Sequence, residues 1–299
     1  MIMAMKIAIT GASGLIGSRL ASQLENLGHQ IYSMTRSRER HGIYWNYQAQ
    51  EINLAALEGI DIVIHLAGEN IAARRWTKTF KNEIYSSRIQ GTKFLVESIA
   101  RLRQPPKKFI CASALGIYGN RGDEILTEES QAGEGFLAKV CIDWEKEAAQ
   151  VSKFGSTCIH ARIGIVLSRH GGALKKMLFP FLLGLGGSLG SGQQWMPWID
   201  MDDLISAFVF LCLHETATGP YNLCSAKAIQ MKDFSQTLAS ILRRPNFVQV
   251  PEFILKFGMG EMAEALLLAS TRARPKKLSD EGFHFKFLDL EASLKHQLD

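Results

Sequence analysis

Residues Lys6–Gly17 read KIAITGASGLIG and join an apolar run to an amphipathic stretch, Leu15–Leu27, through a glycine-rich turn. This order predicts a strand, a tight turn and a helix whose first turn offers free N–H groups and a positive dipole end. Gly11 is expected to form the turn, Gly14 to admit a pyrophosphate and Gly17 to let the helix pack on the strand. The motif therefore predicts a dinucleotide site, and the alternative is a tight turn without a ligand. The residues expected to contact the dinucleotide here are Thr10, Gly11, Ser13, Gly14, Leu15, Ile16 and Gly17.

The end of the second apolar run, Gln30–Met34, indicates which dinucleotide is bound. NAD-selective sites carry an acid about 20 residues past the glycines, where it holds the ribose 2′-OH. This chain instead has Thr35 and Arg36, the latter 19 residues after the last glycine, and Arg38 and Arg40 follow. A carboxylate would repel a 2′-phosphate, whereas a guanidinium binds one in a forked geometry. We therefore predict NADP over NAD, and the alternative is that Arg36 is a solvated surface charge.

Composition excludes several other classes of protein. The chain has 299 residues, of which 46% are hydrophobic and 21% charged, as in ordinary globular proteins. Its net charge of +5 comes from scattered residues, so neither a nucleic acid nor a membrane is an expected partner. The five cysteines are widely spaced and form no Cys-x-x-Cys pair, which favours reduced thiols in a cytoplasmic protein. No His or Cys spacing typical of a metal site occurs, and no bound metal is expected.

Apolar runs alternate with helical patterns through the first two thirds of the chain. This alternation predicts an α/β fold, a Rossmann-like doubly wound parallel sheet with helices on both faces. From about Pro251 the pattern becomes mainly helical, which predicts a smaller C-terminal lobe on the substrate side. The predicted strands are Lys6–Thr10, Gln30–Thr35, Ile60–Leu66, Lys108–Ala112 and Cys158–Leu167, and the predicted helices include Leu15–Leu27, Trp76–Leu102 and Phe136–Lys153.

Several later segments match one family in the expected order. They are GIDIVIHLAGENI (Gly59–Ile71), SSRIQGTKFLVESI (Ser86–Ile99), SALGIYG (Ser113–Gly119), WIDMDDL (Trp198–Leu204) and YNLCS (Tyr221–Ser225). Together with the glycine turn, they make the chain resemble the extended short-chain dehydrogenase/reductase superfamily, of the NAD-dependent epimerase/dehydratase type. The chain is most similar to an atypical bacterial subgroup that has RRW after the fourth strand, GLGGxxGSG further on and a small C-terminal domain.

The resemblance implies an organisation in two domains. Residues 5–225 would form the dinucleotide-binding domain, with a substrate-side insertion at about 171–200, and residues 248–298 would form the C-terminal domain. Many members of the superfamily pair through two long helices, and both a monomer and a homodimer remain open.

The catalytic pair of that superfamily is missing from this chain. Its members use Tyr-x-x-x-Lys, because a free tyrosine has a pKa near 10 and needs a neighbouring cation to act at neutral pH. None of the six tyrosines here is followed four residues later by lysine. When the sequences are aligned on Trp144–Glu145, the two positions fall near Leu137 and Cys141, which cannot replace the pair.

The resemblance also implies roles for residues beyond the glycine turn. Ser113 occupies the position of the family's catalytic serine, and Tyr118 lies in a loop whose tyrosine contacts substrate in related enzymes. Arg88 stands where the family has a structural asparagine, and Glu83 precedes it by five residues, so both are expected to reach the coenzyme, with a surface ion pair as the alternative. Further coenzyme contacts are expected at Leu66, Ala67, Gly68 and Val166.

Two functions are consistent with these residues. The first is an NADP-dependent nucleotide-sugar epimerase or carbonyl/alcohol oxidoreductase. Basic and aromatic groups around Arg74–Trp76 and Trp195–Trp198 suit a small substrate that is anionic or nucleotide-linked. The second is a non-catalytic NADP(H)-binding sensor, which the missing Tyr-x-x-x-Lys pair favours.

Overall fold

The computed structural model of the chain describes residues 4–38 and 41–299, and Arg40 therefore lies outside the described residues. In chain order the strands are β1 (Lys6–Thr10), β2 (Gln30–Thr35), β3 (Ile43–Asn46), β4 (Glu51–Ile52), β5 (Ile62–His65), β6 (Lys108–Ala114), β7 (Ile125–Leu126), β8 (Thr157–Ile163), β9 (Ile165–Leu167), β10 (Gly187–Leu189), β11 (Trp195–Met196), β12 (Trp198–Asp200), β13 (Gly219–Leu223), β14 (Ile229–Gln230), β15 (Val248–Val250) and β16 (Arg272–Ala273). The α-helices are α1 (Leu15–Asn26), α2 (Leu54–Leu57), α3 (Lys78–Ile99), α4 (Phe136–Ala149), α5 (Gly172–Leu182), α6 (Met201–Leu213), α7 (Met231–Leu242), α8 (Glu252–Met259), α9 (Glu261–Ala263), α10 (Lys276–Asp280) and α11 (Leu290–Leu298). A 3₁₀ turn spans Leu115–Tyr118, another spans Gln150–Phe154, and a π turn spans Glu264–Leu268.

Eight strands form the main sheet in the order β13-β8-β6-β5-β1-β2-β3-β4. Neighbouring strands are parallel except β3 and β4, which pair antiparallel. The chain order of the strands reverses at β1, whose neighbours are β2 and β5, and ligands of such sheets bind at the carboxyl ends of the strands at this point. The predicted doubly wound α/β fold is confirmed.

Helices cover both faces of the sheet. On one face, Leu20 and Leu24 of α1 are fully buried in a cluster that also holds Phe208 and Leu211 of α6. On the other face, α3 and α4 bury apolar side chains such as Leu95 in a second cluster. Each fully buried large apolar side chain contributes about 1.5–3 kcal/mol, so this core fixes the strand ends that carry the site.

The C-terminal segment is mainly helical and smaller than the sheet domain, as predicted. Helix α10 packs against β13, and α11 packs against α7. The π turn Glu264–Leu268 follows α8 and α9, and three of its residues line a cavity beside the sheet. The C-terminal segment therefore supplies part of a candidate site.

The predicted strand Cys158–Leu167 is divided into two strands. A Cβ at Gly164 would lie 2.2 Å from the Pro197 carbonyl oxygen, a separation that only glycine allows. Ile165 N–H donates to the same oxygen at 2.7 Å, and β9 pairs with β12 in parallel. The chain thus leaves the main sheet at Gly164.

No described helix is long and apolar enough to cross a bilayer.

Candidate coenzyme groove and active-site cavity

The turn between β1 and α1 has the geometry that its glycines predict. Gly11 adopts φ +70°, and Gly14 N–H donates to Gly11 O at 2.9 Å. A Cβ on Gly17 would lie 2.2 Å from Gly11 O, so only glycine lets α1 approach this closely. No described side chain caps α1, and its first turn carries no acid. The first-turn N–H groups of α1 are thus available to an anion.

A groove of about 1080 Å³ runs from this turn along the ends of β2 and β5. Its lining brings together many of the residues predicted to bind a dinucleotide. They are Gly11, Ser13, Gly14, Thr35, Arg36, Leu66, Ala67, Gly68 and Glu83.

Four predicted residues pack behind this groove. Leu15 and Ile16 are partly buried against the core cluster that contains β1, and neither lines the groove. Val166 packs against the same cluster, and Gly17 lies buried inside α1. These residues shape the turn and place the helix.

Thr10 is fully buried and acts inside the protein, which differs from the predicted contact with the dinucleotide. Its Oγ1 accepts the Leu66 and Ala67 N–H groups, both at 3.1 Å. With both lone pairs used, Oγ1 donates its own proton to His65 Nδ1 at 2.7 Å. His65 Nε2 then donates to Thr92 Oγ1 at 3.0 Å. Thr10 thus fixes the backbone that lines the groove.

Arg36 and Arg38 differ in their surroundings. Arg36 is exposed at the rim of the groove, and it forms no salt bridge with any described residue. Arg38 pairs with Glu51 and lies over the Tyr44 ring at 4.5 Å, outside the groove. Of these two arginines, Arg36 is the one that lines the groove.

A second, mostly apolar cavity of about 370 Å³ adjoins the groove and shares Leu66 with it. Ser113, at the carboxyl end of β6, lines this cavity. Leu137 and Cys141, which occupy the positions expected for tyrosine and lysine, line it as well. Burial raises the pKa of Cys141 to about 11, so its thiol stays protonated at neutral pH.

Ser113 belongs to a buried polar chain. Its hydroxyl donates to Glu145 Oε1 at 2.7 Å. Arg162 donates to both oxygens of the same carboxylate, with both distances 2.9 Å, because the β6–β8 register places Arg162 opposite Ser113. Burial opposes the charge of Glu145, but hydrogen bonding and attraction from Arg162 prevail and hold the pKa of Glu145 below its usual range. Glu145 is thus ionised, and sequence reasoning missed it.

Tyr118 does not reach the cavity, which differs from its predicted role as a substrate contact. It is fully buried and absent from the cavity wall. Its hydroxyl accepts from Arg162 Nη1 and lies 2.8 Å from both Thr127 O and Asn222 Oδ1. Burial raises the pKa of this phenol. Tyr118 extends the chain that positions Arg162.

Arg88 lies between the groove and the cavity. Its guanidinium carbon is 3.1 Å from the position of a Cβ on Gly68 and 5.1 Å from the Trp144 ring. Nη1 donates to Glu69 O at 3.0 Å, and burial lowers the pKa of the guanidinium. Glu83 pairs instead with Arg74, so the alternative to the predicted coenzyme contacts, a Glu83–Arg88 ion pair, does not form. Arg88 is a half-buried cation without a described carboxylate partner, an arrangement typical of anion sites.

Further residues that were not predicted as contacts also line the groove, and two of them, Ser86 and Ser87, begin the matched segment Ser86–Ile99. They are His41, Trp45, Tyr47, Gln48, Thr79, Asn82, Ser86 and Ser87.

Among the described residues, Asp200, Asp202 and His296 are grouped closely enough to hold a metal. Asp200 caps α6 and accepts hydrogen bonds from Ser293 and Gln297, and this group lines neither the groove nor the cavity.

Comparisons with known proteins match nearly the whole chain to one family and its C-terminal domain. Residues 7–224 match the NAD dependent epimerase/dehydratase family, and residues 250–297 match a domain of unknown function, DUF1731. The epimerase family protein YfhF of Bacillus subtilis is 36% identical over 97% of both chains. The epimerase family protein ML0860 of Mycobacterium leprae is 35% identical over 93% of this chain and 91% of its own length.

Solved structures agree with this assignment. The human epimerase family protein SDR39U1, solved with NADPH, superposes with a TM-score of 0.90 at 29% identity and 98% coverage of both chains. A protein from Corynebacterium glutamicum described as a nucleoside-diphosphate sugar epimerase has a TM-score of 0.83 at 33% identity, over 99% of this chain and 58% of that one. The chain belongs to the NAD-dependent epimerase/dehydratase family of extended short-chain dehydrogenases/reductases, joined to a DUF1731 domain.

Proposed function

We propose that this protein is an NADP(H)-dependent oxidoreductase that acts on a small carbonyl compound or its alcohol. The observation that carries the proposal is that the coenzyme groove meets the cavity at Leu66, with Ser113 on the cavity wall. In this proposal residues 5–225 bind the coenzyme, and residues 248–298 close the substrate side. An epimerase, which oxidises and re-reduces one carbon, would use the same groups.

The residues of the groove fit a phosphorylated dinucleotide. The uncapped first turn of α1 suits the pyrophosphate, and Gly14 adds no side chain above it. Arg36 at the rim suits the 2′-phosphate, for which the NADPH of the human relative is a precedent. Trp45 lines the groove, and its Nε1 is buried without a described hydrogen-bond partner. When bound, NADPH supplies a hydride to the substrate carbon.

Ser113 and Glu145 would handle the substrate oxygen. Because the single proton of Ser113 is donated to ionised Glu145, Ser113 offers lone pairs to the cavity. A substrate hydroxyl can therefore donate to Ser113 Oγ. As that hydroxyl loses its proton to Oγ, the proton already on Ser113 can pass to Glu145 Oε1. In carbonyl reduction Ser113 would donate its proton to the substrate oxygen and be reprotonated by solvent from the cavity, because ionised Glu145 holds no proton to return.

A second candidate function, a non-reacting NADP(H) sensor, is favoured by one observation. Leu137 and Cys141, near which our sequence alignment puts the superfamily's catalytic pair, both line the cavity, and neither side chain titrates near neutral pH, because the pKa of Cys141 is raised to about 11. Under this alternative Ser113 would only complete the buried network around Arg162.

Steady-state oxidation of NADPH with a panel of aldehydes and ketones distinguishes the two candidates. We expect turnover by the natural protein, and a roughly 100-fold lower kcat for Ser113→Ala with unchanged NADPH affinity. Ser98→Ala is the matched control, because Ser98 is a buried serine of α3 that donates to Phe94 O away from the cavity. Tight NADPH binding without oxidation by any carbonyl would favour the sensor.

A further inference from the structure

We infer that the cavity beside Ser113 takes an apolar carbonyl compound, or its alcohol, and does not take a nucleotide-linked sugar. The inference rests on the proposed function and names the substrate class of the same site. It differs from the expectation that basic and aromatic groups on this side bind an anionic substrate.

The outer wall of the cavity is mostly apolar. Met177 of α5, Met196 of β11 and Leu266 of the π turn represent three separate elements that all present hydrocarbon or thioether groups. Ligand pockets commonly combine such a lining with a few polar groups that fix orientation. Here the polar hydroxyls are confined to Ser113 and Thr271.

The hydroxyl and indole hydrogens of the wall are already donated to other groups of the protein. A sugar brings several hydroxyls, and each one buried without a partner loses its hydrogen bonds to water. Among these side chains, only oxygen lone pairs and the Arg88 guanidinium would be left to form hydrogen bonds with the sugar hydroxyls. The hydrogen bonds already formed are Ser113 Oγ to Glu145 Oε1 at 2.7 Å, Thr271 Oγ1 to Gly119 O at 2.9 Å, Trp195 Nε1 to Asp123 Oδ1 at 2.6 Å and Trp144 Nε1 to Thr92 Oγ1 at 2.8 Å.

Several cations on this side of the molecule, among them Arg74 of the predicted basic stretch, lie outside the cavity and contact other groups of the protein. Arg88 is the only charged residue among the described residues that line it. A nucleoside diphosphate carries at least two charges, which proteins hold with several forked donors. These cations are Arg74 and Arg121, which form ion pairs with Glu83 and Glu124, Lys176, which donates to Ala72 O at 2.6 Å, and Arg272, which lies over the Trp195 ring at 4.3 Å.

The size of the cavity and the ties around it also favour a small ligand. Its 370 Å³ lies near the lower end of the roughly 300–1,000 Å³ range of ligand pockets. The Lys176–Ala72 hydrogen bond ties α5 to the loop before α3, and Lys81 of α3 pairs with Glu261 of α9 at 2.7 Å. These two ties restrict the space available to a nucleotide beyond the cavity.

Calorimetry on NADPH-saturated protein tests the inference without requiring turnover. The probes are 4-phenyl-2-butanone, cyclohexanone and 2-octanone, with UDP-glucose as the nucleotide-linked comparison. We expect at least one ketone to bind at least 10-fold more tightly than UDP-glucose. Leu266→Asp should weaken that binding at least 10-fold, whereas Leu185→Asp, at an exposed position outside the cavity wall, should leave it unchanged.

The outcomes separate this inference from the proposed function. If UDP-glucose binds more tightly than every ketone, or if no ketone binds, the substrate class is wrong even where NADPH is oxidised. If a ketone binds as expected and no NADPH is consumed with any carbonyl, the substrate class holds and the proposed oxidoreductase activity is wrong. Unchanged ketone binding in Leu266→Asp would also overturn the inference, because the ligand would then lie elsewhere.

Discussion

Ser113 Oγ lies 2.7 Å from Glu145 Oε1 and donates its proton to a carboxylate that Arg162 holds with two further hydrogen bonds. The side chains of Arg162 and Glu145 are only 9% and 13% exposed, so the pair is shielded from water and salt. This arrangement couples the orientation of a cavity residue to a buried ion pair. Glu145 and Arg162 therefore affect both the stability of the protein and the orientation of Ser113 in the cavity.

Glu145→Gln is expected to lower the free energy of unfolding by about 3 kcal/mol, because Arg162 would be left buried without a counter-charge. Urea denaturation at neutral pH measures the loss. Glu147→Gln, on the same helix and without a described ion pair, should change stability by less than about 0.5 kcal/mol. A loss below about 1 kcal/mol for Glu145→Gln would show that the pair is not a net contributor.

The coenzyme turn could be predicted from sequence because its determinants are local. The strand, the three glycines and the helix lie within Lys6–Asn26, and each glycine has a steric reason that a single sequence reveals. Ser113 directly follows the predicted strand Lys108–Ala112, so its place at the carboxyl edge of the sheet could be predicted locally, whereas its role was implied by the family resemblance. Such signals depend on neighbours in the chain and do not require knowledge of the packing.

Glu145 and the apolar cavity could not be predicted, because both arise from long-range packing. Glu145 reaches Ser113 and Arg162 only when α4 packs against β6 and β8. The cavity wall combines residues from the sheet, α5 and the π turn, which are far apart in sequence. Tyr118 was predicted to contact substrate because of its loop, but its side chain is buried and hydrogen-bonds to Arg162. This contact also depends on long-range packing.

Arg36→Asp is expected to weaken NADPH binding at least 10-fold while NADH binding changes little. The substitution replaces a forked donor with a charge that repels the 2′-phosphate, which NADH lacks. Fluorescence titration with both coenzymes measures the two affinities. Arg38→Ala is the control and should alter both by less than about twofold, because Arg38 is engaged by Glu51 and Tyr44. Equal losses for NADPH and NADH would exclude selection by Arg36.

Acidification is expected to destabilise the protein through His65. Burial, together with the Arg88 charge, lowers the pKa of His65 to about 3, against about 6.5 in the unfolded chain. The unfolded state therefore binds the proton first, and the contribution of neutral His65 is complete above pH 6.5 and is lost as the pH falls towards 3. The slope approaches about 1.4 kcal/mol per pH unit.

His65→Asn removes that titration, although it also lowers stability at neutral pH by disturbing the Thr10 and Thr92 hydrogen bonds. Urea denaturation between pH 7 and pH 4 should therefore show the variant and the natural protein converging as the pH falls. His284→Asn, at an exposed position, should run parallel to the natural protein. Parallel curves for His65→Asn would mean that His65 does not govern this slope.

Gly17→Ala is expected to lower the free energy of unfolding by several kcal/mol and to abolish coenzyme binding. The added Cβ would lie 2.2 Å from Gly11 O and 2.9 Å from Ala12 Cα, both backbone atoms that can move only if α1 leaves β1. Thermal unfolding and NADPH titration measure the two effects.

The control is Gly258→Ala in α8, where an added Cβ meets nothing within 4 Å. Because alanine favours helix over glycine by about 1 kcal/mol, this control should be neutral or slightly stabilising. Similar effects at the two positions would mean that helix propensity alone accounts for both, and that the close approach of α1 to the glycine turn imposes no requirement for glycine.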